Sequence, residues 1–234
     1  MVSTGLAAAG YEYVNLDDCW MLPPENRTNH GTGPQVPDPA KFPPGSNLTL
    51  PHVIQYAHKL GLRFGLYTAR APTTCQRMAG SCMHESVDAA QFAAWSLDYL
   101  KDDSCGHCRA SNATYDGNLA DYGAMQQALD AATAATGRKI VLSIEGGPNI
   151  TAVSAGGHGN LRRVGTDITS TWYSMIGLVD TGSGLWPYAH NATSAQGDGG
   201  GFWNDLVRSN FNSCRPSVCP HFLTPLLDTG PGHA

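Results

Sequence analysis

The sequence predicts an α/β chain folded as a (β/α)8 TIM barrel of which only part is present. Three observations lead there. Strand-like and helix-like segments alternate along the chain, which implies βαβ units and a parallel sheet. The run Ile-Val-Leu-Ser-Ile at 140–144 is short and apolar but for one serine, as a strand covered on both faces needs to be. Carboxylates recur just past the strand-like runs, at Asp17, Asp18, Asp103, Glu145, Asp167 and Asp205, and in a barrel such strand ends converge on one face. Helix N-caps are the other use for an acid at a strand end, an alternative that weakens as successive strands repeat it. An open dinucleotide-binding sheet would carry a glycine-rich phosphate loop after its first strand, and none stands there.

Taken in order, residues 11–16 alternate like a strand and run into Asp17-Asp18. A Pro/Gly/Asn-rich stretch from 23 to 47 is loop. Val53, Ile54, Ala57 and Leu60 then recur at helical spacing, and Gly61 stops that helix. Residues 63–68 form the next strand. Val87, Ala90 and Trp95 mark a helix leading into a strand at 99–101, and Tyr122, Met125, Leu129 and Ala132 mark a longer helix closed near Gly137. Beyond the strand at 140–144, strand ends are expected near Thr166-Asp167 and Phe202-Trp203, and the three glycines at 199–201 read as a turn.

At 234 residues, 41% hydrophobic and 14% charged, the chain has the material for one sizeable core. With a net charge of −5 and no Lys/Arg stripe, it offers nothing to phosphates, so a nucleic-acid partner is not expected. No run reaches the roughly 18 apolar residues of a membrane span, so a membrane partner is not expected either. Five N-x-S/T sequons, at Asn26, Asn47, Asn112, Asn149 and Asn191, and seven cysteines favour disulfides and the secretory pathway. Cys105-Gly-His-Cys108 is half of a zinc pattern whose other half is absent, so no metal is expected. The first ten residues lack the basic start of a signal peptide, and the chain is expected to be incomplete there.

The motifs resemble the family of glycoside hydrolases that contains the eukaryotic α-galactosidases and α-N-acetylgalactosaminidases. Gly10-Tyr-Glu-Tyr-Val-Asn-Leu-Asp-Asp-Cys-Trp20 is similar to that family's second barrel strand, whose acidic pair binds sugar hydroxyls. Gly65-Leu-Tyr-Thr68 with Thr74-Cys75 is similar to the third strand and its loop. Asp98-Tyr-Leu-Lys-Asp-Asp-Ser-Cys105 is similar to the fourth, which carries the nucleophile two residues after the lysine and two before the cysteine. That match falls on Asp103 rather than Asp102. Residues 140–145 resemble the fifth strand, Arg163-Val-Gly-Thr-Asp-Ile168 the sixth with its acid/base, and Gly-Gly-Phe-Trp-Asn-Asp205 the seventh.

The resemblance therefore implies a retaining exo-α-galactosidase without cofactor, its partner an α-galactoside, with a homodimer left open. It implies Asp103 as nucleophile and Asp167 as acid/base, and Asp17, Asp18, Tyr67, Lys101, Cys105, Glu145, Arg163 and Asp205 as substrate-binding residues. Asp205 is the weakest match, because the residues after it depart from the family. It also implies a Cys75–Cys105 disulfide and an upstream partner for Cys19. On this reading residues 1–210 form a partial catalytic barrel without its first and eighth strands and the C-terminal β-domain, and 211–234 a divergent tail. Destination is extracellular or lysosomal/vacuolar. A truncated barrel that is inactive or only binds sugar is the alternative of another class.

The chemistry is consistent with these residue types. Retention needs two carboxyls roughly 5–5.5 Å apart, one ionised and one protonated. Lys101, two residues from Asp103 on an alternating strand, shares its face and can keep it ionised. Asp167 should have its pKa raised by burial or negative charge, an effect that nearby Arg163 opposes. Asp17 and Asp18 suit the O4 and O6 of galactose, or divide into one binder and one helix cap; Tyr67 is a polar wall or core. In the resembling family a large acid at the position of Glu145 goes with galactose and a small residue with an N-acetyl group, which leaves α-N-acetylgalactosaminidase as the near alternative. Trp20, Trp95 and Trp172 read as packing.

Overall fold

The computed structural model describes residues 1–108, 115–145, 158–163, 165, 167–184 and 203–205. The elements run β1 (Tyr13–Asn15), α1 (Leu50–Lys59), β2 (Arg63–Ala69), α2 (Glu85–Ala94), β3 (Tyr99–Asp103), α3 (Tyr115–Thr136), β4 (Val141–Ile144), β5 (Leu161–Arg163), α4 (Trp172–Gly184) and β6 (Trp203–Asp205). All six strands join one sheet in sequence order, and every pair is parallel. A doubly wound sheet reverses its order at a switch point; an unbroken 1-to-6 order is that of a (β/α) barrel wall. The fold is thus a parallel half-barrel sheet.

Local chemistry explains the elements. Pro51 sits in the first turn of α1, where its missing N–H costs nothing, and His58 and Lys59 lie in the last turn beside the negative end of the helix dipole. Gly61 and Gly137, at φ +74° and +72°, take the left-handed conformation that ends α1 and α3. Leu50, Ile54 and Ala57 of α1, Phe92 of α2, and Tyr122, Met125, Leu129 and Ala132 of α3 pack on Phe64, Leu66, Leu100, Leu142 and Ile144 of the sheet. A side chain at Gly65 would strike the Asn15 side chain at 2.1 Å and the Tyr99 ring at 2.7 Å, so β2 needs glycine there to lie between β1 and β3.

Three expectations need correction. The α2 helix forms, but Val87 and Ala90 face solvent; Ala89, Phe92 and Ala93 turn inward together with Asp88. The reason is Arg27, whose guanidinium bonds both Asp88 oxygens at 2.9 and 2.8 Å, making a charged residue part of the buried face. The strand expected to end near Thr166-Asp167 is described over Leu161–Arg163, and Arg163 Nε donates to the Gly165 carbonyl at 2.7 Å. Trp20 and Trp95 pack edge to face at 6.1 Å, but Trp172 is 68% exposed. Thr166, the turn at 199–201, three sequons, Cys214, Cys219 and the tail at 211–234 lie outside the described residues.

Candidate active site

Strand register decides which side chains can meet. In-register parallel neighbours place Tyr67 beside Lys101 and Lys101 beside Ser143, while Thr68, Asp102 and Ile144 form the next row on the opposite face. Continuing the first row by two residues brings Asp103 and Glu145 to adjacent strand ends, and the β4–β5 and β5–β6 registers add Arg163 and the backbone position of Asp205. Asp102 thus stands on the helix side. It is fully buried, with both carboxylate oxygens lacking a hydrogen-bond partner among the described residues, and that burial pushes its carboxyl well up.

The side chains on the site face are joined in one network. Lys101 Nζ lies 3.1 Å from Asp17 Oδ2 and 3.3 Å from Asp103 Oδ2, and 4.6 Å above the Tyr67 ring. Tyr67 donates its hydroxyl to Asp103 and lies 3.3 Å from Cys105 Sγ. The Ser104 amide is shared: it donates to Asp103 Oδ1 and to Glu145 Oε2, each at 2.8 Å. Arg163 Nη1 then bonds Glu145 Oε1 at 2.9 Å, and its Nη2 pairs with Asp167.

This arrangement drives the two central carboxyls apart in acidity. Burial alone would raise Asp103, but hydrogen bonds from Glu145, Tyr67 and Ser104 and the Lys101 charge together hold it well below the usual carboxylate range. Burial raises Glu145, and its hydrogen bond to Asp103 and that group's charge add to the rise, against the Ser104 amide and Arg163; the result is about 7. Below a pH of about 7 a proton is therefore held on Glu145 and directed at Asp103. Tyr67 is also raised, chiefly by burial and then by Asp103 and Asp18, and stays neutral.

Asp167 has a side chain 40% exposed and pairs with Arg163. Asp18 has each oxygen on a backbone N–H, Cys19 at 2.7 Å and Gln76 at 3.0 Å, so it ties the β1 end to the loop after β2 rather than capping a helix. Burial raises its carboxyl despite bonds from Thr74, Cys19 and Gln76. Cys105 is joined to Cys75, and Cys108 to Cys82, so two bridges cross between the loops after β2 and β3. Cys75, Asp103 and Cys105 cluster as metal ligands might, but the two sulfurs are bonded to each other and offer no thiolate. Ser104 was missed by the sequence reading, because its contribution is a backbone N–H that any residue carries.

The family model described as alpha galactosidase A matches residues 1–214. An α-galactosidase from Cyamopsis tetragonoloba is 38% identical over 207 residues, covering 88% of this chain and 44% of that protein. The α-N-acetylgalactosaminidase of Rattus norvegicus is 33% identical over 222 residues, covering 90% and 48%. The solved structure of α-galactosidase I from Mortierella vinacea superposes with a TM-score of 0.71 at 25% identity, covering 88% of this chain and 52% of that one. The chain spans about half or less of the length of these relatives. With one family model accounting for most of its residues, the chain belongs to the family of glycoside hydrolases that holds the α-galactosidases and α-N-acetylgalactosaminidases.

Proposed function

We propose that this chain carries the catalytic site of a retaining exo-α-galactosidase that removes terminal α-linked galactose by double displacement. The observation behind this reading is the single network that runs from Asp17 through Lys101, Asp103, Glu145 and Arg163 to Asp167, drawn from the ends of four strands. Asp103, held ionised, attacks the anomeric carbon while Asp167 gives its proton to the departing oxygen; water, deprotonated by Asp167, then releases galactose from Asp103. Arg163 holds Asp167 beside the site. Asp17 and Lys101 bind ring hydroxyls, with Asp18 adding the remaining lone pairs of its oxygens. Tyr67 and the Cys75–Cys105 bridge wall the site, and Asp205 belongs to its far rim.

Glu145 fills the space next to the nucleophile and favours a hydroxyl over an N-acetyl group there. The rat relative keeps α-N-acetylgalactosaminidase as the second reading. Two disulfides and exposed sequons at Asn26 and Asn47 support folding in the secretory pathway. The test is release of 4-nitrophenol from its α-galactoside by the intact chain, lost in Asp103→Asn, with α-galactose as the first anomer seen by proton NMR. An undiminished Asp103→Asn variant or a β-anomer sinks the mechanism. Faster turnover of the α-N-acetylgalactosaminide selects the second reading, and galactose binding without turnover selects a sugar-binding barrel.

A further inference from the structure

We infer that Arg70, one residue past the end of β2, is a positioning residue that orients the Asp103–Ser104 peptide so that its N–H serves both carboxyls of the site. This role rests on the α-galactosidase reading above. Arg70 makes no hydrogen bond or ion pair with Asp103 or Glu145 side chains; it acts on the peptide between them. Its backbone N–H donates to the Asp103 carbonyl at 3.1 Å, which is the C=O of the same peptide whose N–H is shared at 2.8 Å by Asp103 Oδ1 and Glu145 Oε2. Its guanidinium holds the next side chain along, donating to Ser104 Oγ from Nη2 at 2.8 Å and from Nε at 3.2 Å. Gripped at its carbonyl and at the Ser104 side chain, that peptide cannot rotate its N–H away.

The guanidinium is itself fixed. Its Nη1 bonds Asp121 Oδ2 at 3.3 Å, with the two side chains only 2% and 0% exposed, and Asp121 Oδ2 also accepts the Cys108 amide at 3.1 Å. The Tyr122 ring lies 5.2 Å from the guanidinium carbon, and the Tyr122 hydroxyl donates to the Glu145 carbonyl at 2.8 Å. One platform from α3 therefore sets both the peptide after the nucleophile and the backbone of Glu145. A rigid planar fork with several donors can serve Asp121 and Ser104 together; a lysine ammonium on a flexible stem cannot hold that geometry. The other groups facing the carboxyl pair are Tyr67, Lys101 and Arg163, and none of them contacts this peptide's carbonyl.

The test uses Arg70→Lys and Ser104→Ala, singly and combined, in the full chain. Ser104→Ala keeps the backbone N–H, removes the hydroxyl that Arg70 holds and guards against misfolding of the Arg70 variant. Each single change is expected to lower kcat on the aryl α-galactoside by roughly ten- to a hundredfold with KM little altered, because ångström-scale misplacement is felt in the chemical step. The double variant is expected to fall no further than the worse single one, since both remove the same link. The amide lowers the pKa of both carboxyls, so the acid limb of the kcat/KM profile moves to higher pH in each variant. Titration of the 13C-labelled carboxyls of Asp103 and Glu145 reads the same upward move without turnover. Additive losses, or unchanged carboxyl titrations in Arg70→Lys, overturn the role. A native chain with neither turnover nor galactose binding sinks the function and this role with it. A native active chain with unaltered variants sinks this role alone.

Discussion

Replacing Glu145 by Gln separates the charge of this carboxyl from its hydrogen bonds. The amide still accepts from the Ser104 N–H or Arg163 and donates to Asp103, but it cannot ionise. In the native chain burial and the neighbouring Asp103 move Glu145 from an ordinary 4.5 to about 7. A group whose folded pKa lies above its unfolded value binds more protons when folded. Its stabilising contribution is complete below the unfolded pKa and is lost as pH rises through the folded one. Asp103 shifts the opposite way, and its contribution is lost only as pH falls below its ordinary 3.8. Across the window from 4.5 to about 7, Glu145 is therefore the member of the pair that titrates. The difference corresponds to about 3 kcal/mol once Glu145 is fully ionised, or about 6–12 °C in Tm for a domain of this size. Thermal melts of Glu145→Gln should match the native chain at a pH of about 4 and exceed it by that margin at about 8.5. A Tm difference that is flat across this range, or that favours the native chain as pH rises, would refute the shared proton between positions 103 and 145.

Three further outcomes are expected. Asp103→Asn lowers aryl galactoside hydrolysis by roughly a thousandfold or more. Lys101→Met removes the cation between Asp17 and Asp103; losing it raises Asp103, so the acid limb of the kcat/KM profile moves to higher pH and kcat/KM falls by about a hundredfold. Asp88→Ala leaves the Arg27 guanidinium buried without its anion and costs about 3–5 kcal/mol in denaturant melts, whereas exposed Val87→Ala changes stability by less than about 0.5 kcal/mol.

Most of the sheet was legible because period-2 and period-3.6 patterns and glycine stops are local signals. The α1 and α3 helices and β2 to β4 stand close to where the apolar spacing put them, and Gly61 and Gly137 end their helices as read. The inward face of α2 was not legible, since nothing near Asp88 announces that Arg27, 61 residues away, will neutralise it. The gathering of Asp17, Lys101, Asp103, Glu145 and Arg163 was foreseeable because strand-end residues in a parallel barrel share one rim.

By itself the sequence determined the parallel α/β architecture and the family to which the chain belongs, and the family motif pointed to Asp103 rather than Asp102. Only the tertiary structure decided where the protons sit. Whether a carboxyl is raised or lowered depends on burial and on charges brought within a few ångströms from other strands, and those distances have no counterpart along the chain. Folding brought Glu145 beside Asp103 and buried it, which raises its carboxyl, and set Arg163 between Glu145 and Asp167.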